Sequence, residues 1–143
     1  MLLKRFTEPL HPPRYATPVR VDIHQHLWPE PLLRGLSRRT EPPCLVRRRD
    51  DWTLRIQGEP EAPLDLADHD PDRRAALMDG DRIDRALVSL SPPLGIEALT
   101  AGEAEPLLAA YHDGVAELPA PFGAWAAVCL ADPDPAALCS LLD

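Results

Sequence analysis

Alternation is the feature that most restricts what this chain can become. Short apolar runs suited to strands take turns with segments whose apolar residues recur at helical spacing. The series runs as a strand over 19–24 (VRVDIH), a helix from Asp70, a strand over 86–91 (ALVSLS), a helix over 102–118, a strand over 123–131 (GAWAAVCLA) and a last helix opening at Asp132. Such a series predicts an α/β fold with a parallel sheet, because a parallel neighbour is reached only through a long crossover, usually a helix. Val19, Val21 and Ile23 alternate with polar residues, the period of a strand. The run at 86–91 is nearly continuous in apolar character, as a strand buried on both faces requires. Asp70 followed by Pro71 reads as an N-cap and first helical position. Leu107, Leu108, Tyr111, Val115 and Leu118 give the next helix an apolar face.

An insertion separates the first strand from the rest of the series. Pro29 and Pro31 open a short helix reaching Arg39, and CLVRRR and WTLRIQG flank Asp50-Asp51 as the arms of a β-hairpin. Residues 58–69 read as a proline-bearing loop, and residues 1–18 as an extended lead-in. The 18 prolines fall mostly in short loops, where a missing N–H costs least.

Bulk properties narrow the function classes. A length of 143 residues suits one domain with an ordinary core. A net charge of −8 argues against a general nucleic-acid or anionic-membrane binder, and the arginines at 38–39 and 47–49 are offset by Glu41, Asp50 and Asp51. Cys44, Cys129 and Cys139 form neither an even set nor a CxxC pair, so they read as reduced thiols, and a cytoplasmic location is expected. The N-terminus lacks the apolar stretch of a secretory signal, and no apolar run approaches the length of a membrane span.

The residues that carry chemistry lie at the end of the first strand, in VDIHQHLWP over 21–29. On a strand, residues two apart point to one face, which places His24 and His26 side by side about 6–7 Å apart along the chain. Two imidazoles so placed can lean toward one divalent cation, and Asp22, which shares their parity, can serve as a hydrogen-bond partner in an outer layer or help fill the layer beneath. The plainer reading is a pair of exposed histidines on an edge strand. The aspartate two residues earlier and the position at the head of an α/β series favour the metal.

VDIHQHLWP resembles the D-x-H-x-H-x-x-P opening of the amidohydrolase-related metal-dependent hydrolases, and within them the branch of aminocarboxymuconate-semialdehyde decarboxylase and the resorcylate-type decarboxylases. HDPDRRAALMDGDRIDRALVSLSP and AAYHDGVAELPAPFGAWAAVCLADPDPA resemble the helix-strand segments that follow in that branch, and the hairpin around PCLVRRRDDWTLRIQG resembles its insertion. The resemblance spans residues 19–142. It implies a (β/α)8 TIM barrel holding a divalent metal, zinc or else manganese, at the carboxyl ends of its strands. His24 and His26 would be the first two ligands, with a further histidine and a late aspartate completing the set. A water activated by that metal would then hydrolyse a small, carboxylated organic substrate. The alternative within the fold is a non-oxidative, metal-dependent decarboxylase.

A whole barrel takes about 250 residues and eight strands, so residues 19–143 correspond to about three βα units with the hairpin inserted after strand 1. The expectation is therefore the N-terminal part of a longer enzyme, inactive as it stands, with open sheet edges that favour homo-oligomers. Trp28, in the loop after the first strand, is a candidate for lining the substrate site or else a packing residue beside Pro29. Arg47, in the hairpin, is the candidate for gripping a substrate carboxylate, with solvated charge the plainer reading of the arginine run. His69 and His112 read as surface or packing histidines, Cys129 as core, and Ser89 and Ser91 carry no catalytic signature.

Overall fold

The computed structural model describes residues 18–131, 133 and 135–140, so the lead-in expected over 1–18 lies, apart from Pro18, outside the described residues. The first strand, β1, is Val21–Gln25. Pro29 stays extended and Pro31 occupies the first turn of α1, Glu30–Ser37, which buries Leu32 and Leu36. The hairpin strands β2 (Cys44–Arg48) and β3 (Asp51–Arg55) pair antiparallel, joined by a tight turn with Arg49 at φ 57°. A further strand, β4 (Ala62–Leu64), pairs antiparallel with β3. The insertion is therefore a three-stranded sheet that follows α1. The expected proline-bearing loop over 58–69 contains that third strand and a 3-10 turn at Leu66–His69.

Asp70 caps α2 (Pro71–Gly80) by accepting from the backbone N–H of Arg73 at 2.7 Å. The chain then enters β5 (Arg85–Val88), which pairs parallel with β1. Two 3-10 turns, Pro92–Leu94 and Ile96–Ala98, lead into α3 (Ala101–Ala116). β6 (Phe122–Ala124) pairs parallel with β5, and α4 spans Pro135–Ser140. The parallel sheet has the order β1-β5-β6, so each new strand is added beside the last. The fold is mixed α/β with one parallel and one antiparallel three-stranded sheet. Among the described residues the parallel sheet is open, not a closed barrel.

The third parallel strand is shorter than expected over 123–131. Trp125 N–H makes the last contact to β5, donating to the Val88 carbonyl (2.8 Å). Beyond it the backbone donors leave the ladder, Ala127 N–H for His112 Nε2 (3.0 Å) and Leu130 N–H for the Glu97 carbonyl (2.7 Å). β5 itself stops at Val88, ahead of the Pro92-Pro93 turn, so no partner strand remains for 125–131 to extend along.

The core gathers Leu27, Leu32 and Leu36 from the first strand-helix unit with Ala86, Val88, Leu107 and Tyr111 from the second. Helices α1 and α3 meet at glycine. A Cβ on Gly114 would lie 2.4 Å from Pro29 Cβ, so this seam closes only without a side chain there. Tyr111 places its hydroxyl 3.1 Å from the Val88 carbonyl and 3.0 Å from that of Trp125, tying α3 to the carboxyl ends of β5 and β6. Burial pushes this phenol up to about 12. No described helix is long and apolar enough to cross a membrane.

Candidate metal centre

β1 bends at its own aspartate. Asp22 Oδ1 accepts from the backbone N–H of His24 at 3.0 Å, and Oδ2 accepts from the Gln25 side chain at 2.9 Å. These hydrogen bonds, the His24 one foremost, hold the Asp22 carboxyl below its ordinary value, with a smaller contribution from the nearby His24 charge. The same turn shifts the β1–β5 register between Asp22 and Gln25. Asp22 is thus committed to the local backbone and to Gln25. Among the described residues it bonds to neither imidazole, unlike the outer-layer partner that strand parity led one to expect.

Past the bend, pairing resumes through Ser89, whose N–H donates to the Gln25 carbonyl at 2.7 Å. Ser89 is buried, at 8% exposure, and presents two groups to the histidines. Its carbonyl lies 3.1 Å from His26 Nδ1, and its hydroxyl lies 3.2 Å from His24 Nδ1. The two rings stand edge to face, centroids 4.7 Å apart and planes at 82°. A carbonyl only accepts, so His26 Nδ1 carries a proton, and in the neutral ring Nε2 keeps the lone pair. Among the described residues neither Nε2 has a hydrogen-bond partner. His24 is exposed and His26 half-buried, so the pair opens toward solvent.

Free Nε2 atoms beside Nδ1 atoms anchored by oxygen are the arrangement imidazole ligands adopt, and such a pair could supply two of the four donors of a tetrahedral ion. Among the described residues no group of three or more His, Cys, Asp or Glu gathers to hold an ion. Gln25 Oε1, two bonds from the amide nitrogen that binds Asp22, is buried without a hydrogen-bond partner.

The other candidates fall elsewhere. Trp28 is 6% exposed; its ring stacks on His69 at 4.5 Å and its indole N–H donates to Ser91 Oγ at 3.2 Å. His69 Nδ1 accepts the Trp28 backbone N–H at 3.0 Å, which joins this histidine to the loop after β1. Burial lowers the His69 pKa first and the Arg74 charge next, against Asp68; burial likewise lowers that of His112. Both rings accept a backbone N–H, as neutral imidazoles do. Arg47 lies on the antiparallel sheet, its guanidinium 5.9 Å from the centre of the Trp52 ring, while Arg48 pairs with Glu61 at 2.7 Å. Sequence reasoning passed over Ser89. Its only signal was its place at the end of the second parallel strand, beside the end of the first.

No family model matches this chain, and no curated protein sequence matches it.

Proposed function

We propose that this chain contributes the first two metal ligands, His24 and His26, of an amidohydrolase-like metal-dependent hydrolase. The cation would be zinc, with manganese as the other candidate, and the substrate a small, carboxylated organic molecule. One observation carries the reading: a single residue, Ser89, anchors the Nδ1 atoms of both imidazoles, and among the described residues both Nε2 atoms are without a partner. The pair also lies at the carboxyl end of a parallel strand, where α/β folds place their sites. A divalent cation held there supplies Lewis acidity and a water that ionises near neutral pH. His26 enters with its tautomer already chosen, and His24 keeps its ring against the same serine. The remaining donors of a four-coordinate ion would come from later strands, in keeping with a partial (β/α)8 barrel.

Competition against a chromophoric zinc chelator tests this reading. The chain is expected to take up zinc, and His24→Ala/His26→Ala to lose that uptake. Equal uptake by both would end it.

A further inference from the structure

The geometry points to Ser89 as the positioning residue of the pair, with a separate role toward each ring: it presets His26 and leaves His24 to be set by the ion. This inference rests on the metal reading above for its use, but its first half concerns the protein alone.

The distinction comes from the chemistry of the two Ser89 oxygens. The backbone carbonyl faces His26 Nδ1 at 3.1 Å and has no proton to give. His26 must therefore donate, and in the neutral ring its Nε2 is then the lone-pair donor before any ion arrives. The hydroxyl faces His24 Nδ1 at 3.2 Å and can turn either way. In one sense Ser89 O–H donates to Nδ1 and the His24 proton resides on Nε2. In the other, His24 N–H donates to Oγ and Nε2 is free to ligate. With a cation held at Nε2, His24 would be confined to the second sense, its proton exchanged through solvent from Nε2 to Nδ1 and the Ser89 hydroxyl turned from donor to acceptor. Both contacts start from a fixed stretch of backbone. Ser89 is buried, its N–H is fixed on the Gln25 carbonyl at 2.7 Å, and the neighbouring Val88 carbonyl receives Trp125 N–H at 2.8 Å and faces the Tyr111 hydroxyl. The serine is held by the β1–β5 ladder, so both imidazoles inherit the position of β5.

The two roles separate experimentally. Ser89→Ala removes the hydroxyl and keeps the carbonyl, in a smaller side chain that the buried position accommodates. Nitrogen-15 correlation spectra of the imidazoles, recorded with and without zinc on the full chain, read each tautomer directly. In the unaltered chain His26 is expected as the Nδ1–H form throughout, and His24 as a mixture that becomes Nδ1–H with zinc. In Ser89→Ala the His26 tautomer is expected unchanged, while zinc affinity falls about 10- to 100-fold, the range for loss of a partner that orients a ligand. Ser89→Thr, which restores a hydroxyl, is expected to recover most of that affinity. An unchanged zinc affinity in Ser89→Ala, or His26 found with its proton on Nε2, would overturn the assignment. If the unaltered chain takes up no zinc but His26 is the Nδ1–H form, the metal reading fails and the presetting of His26 stands.

Discussion

β1 and β5 lie side by side in one parallel sheet, and they are held in place by different forces. In β5, Ala86 and Val88 are completely buried, and the residues after it, Ser89, Leu90 and Ser91, are buried too. In β1, Val21 is 45% and Ile23 65% exposed. Side-chain packing anchors β5 between α3 and the core, whereas β1 is fixed by polar contacts. Arg20 N–H donates to Asp84 Oδ2 (2.7 Å), Asp84 N–H donates back to the Arg20 carbonyl (2.9 Å), and the Trp125 indole donates to the Ile23 carbonyl (2.9 Å). The histidines ride on the lightly packed strand and borrow their rigidity from the heavily packed one through Ser89. A site that needs fixed imidazole geometry gains from that support.

The contrast is broken most strongly on the packed side. Gly114→Ala forces a methyl against Pro29, and stability is expected to fall by about 3 kcal/mol in urea unfolding, because the proline ring has little room to give. An unshifted midpoint would mean that the α1–α3 seam is loose. Tyr111→Phe is expected to cost about 1–3 kcal/mol, since the carbonyls of Val88 and Trp125 lose their phenol donor. The pH dependence adds a second signature. The folded phenol holds its proton up to about 12, while an unfolded tyrosine releases it near 10. Its contribution is complete below about pH 10 and is lost as pH rises toward 12, so Tyr111→Phe should flatten the alkaline limb of the stability curve.

Smaller effects are expected from the histidines around the site. His69 and His112 both have pKa values below the ordinary one, chiefly through burial. Their neutral forms support the fold above the unfolded value of about 6.5, and that support is lost as pH falls below it toward the folded values. Unfolding free energy should therefore decline from pH 7 to pH 5, with a shallower slope in His69→Gln/His112→Gln. Least of all should happen on the outer face of β1. Val21→Thr and Ile23→Thr are expected to stay within about 0.5 kcal/mol of the unaltered chain in the same urea experiment. A larger loss would show that packing, not polar contact, holds β1.

Much of the fold could be read from residues alone, and the exceptions have physical causes. Asp70-Pro71 starts its helix where cap chemistry requires, and CLVRR and DWTLR pair across the turn at Arg49-Asp50. The short strand Ala62–Leu64 was hidden because a proline-bearing segment lacks a strand's propensity and is recruited only by a neighbour's free edge. The apolar stretch 125–131 had the composition of a strand, but β5 ends at Val88 and among the described residues no strand pairs with it past Trp125. At the site, the facing of His24 and His26 was legible from their spacing. The role of Ser89 was not, because it depends on register across 65 and 63 residues of sequence, which local pattern does not encode.

Sequence by itself determined the alternating strand-helix series, the helix starts, the hairpin and the adjacency of two histidines at a strand end, because each depends on spacing within a few residues. Tertiary structure decided the rest. It turned Asp22 onto the backbone, buried Trp28 against His69, laid Arg47 over Trp52 and placed Ser89 between the two imidazoles. The first is a local bend tied to the β1–β5 register, the Arg47–Trp52 contact follows from the β2–β3 hairpin register, and the other two require the packing of distant segments. Those relations are fixed only when buried polar atoms must find partners across the whole fold.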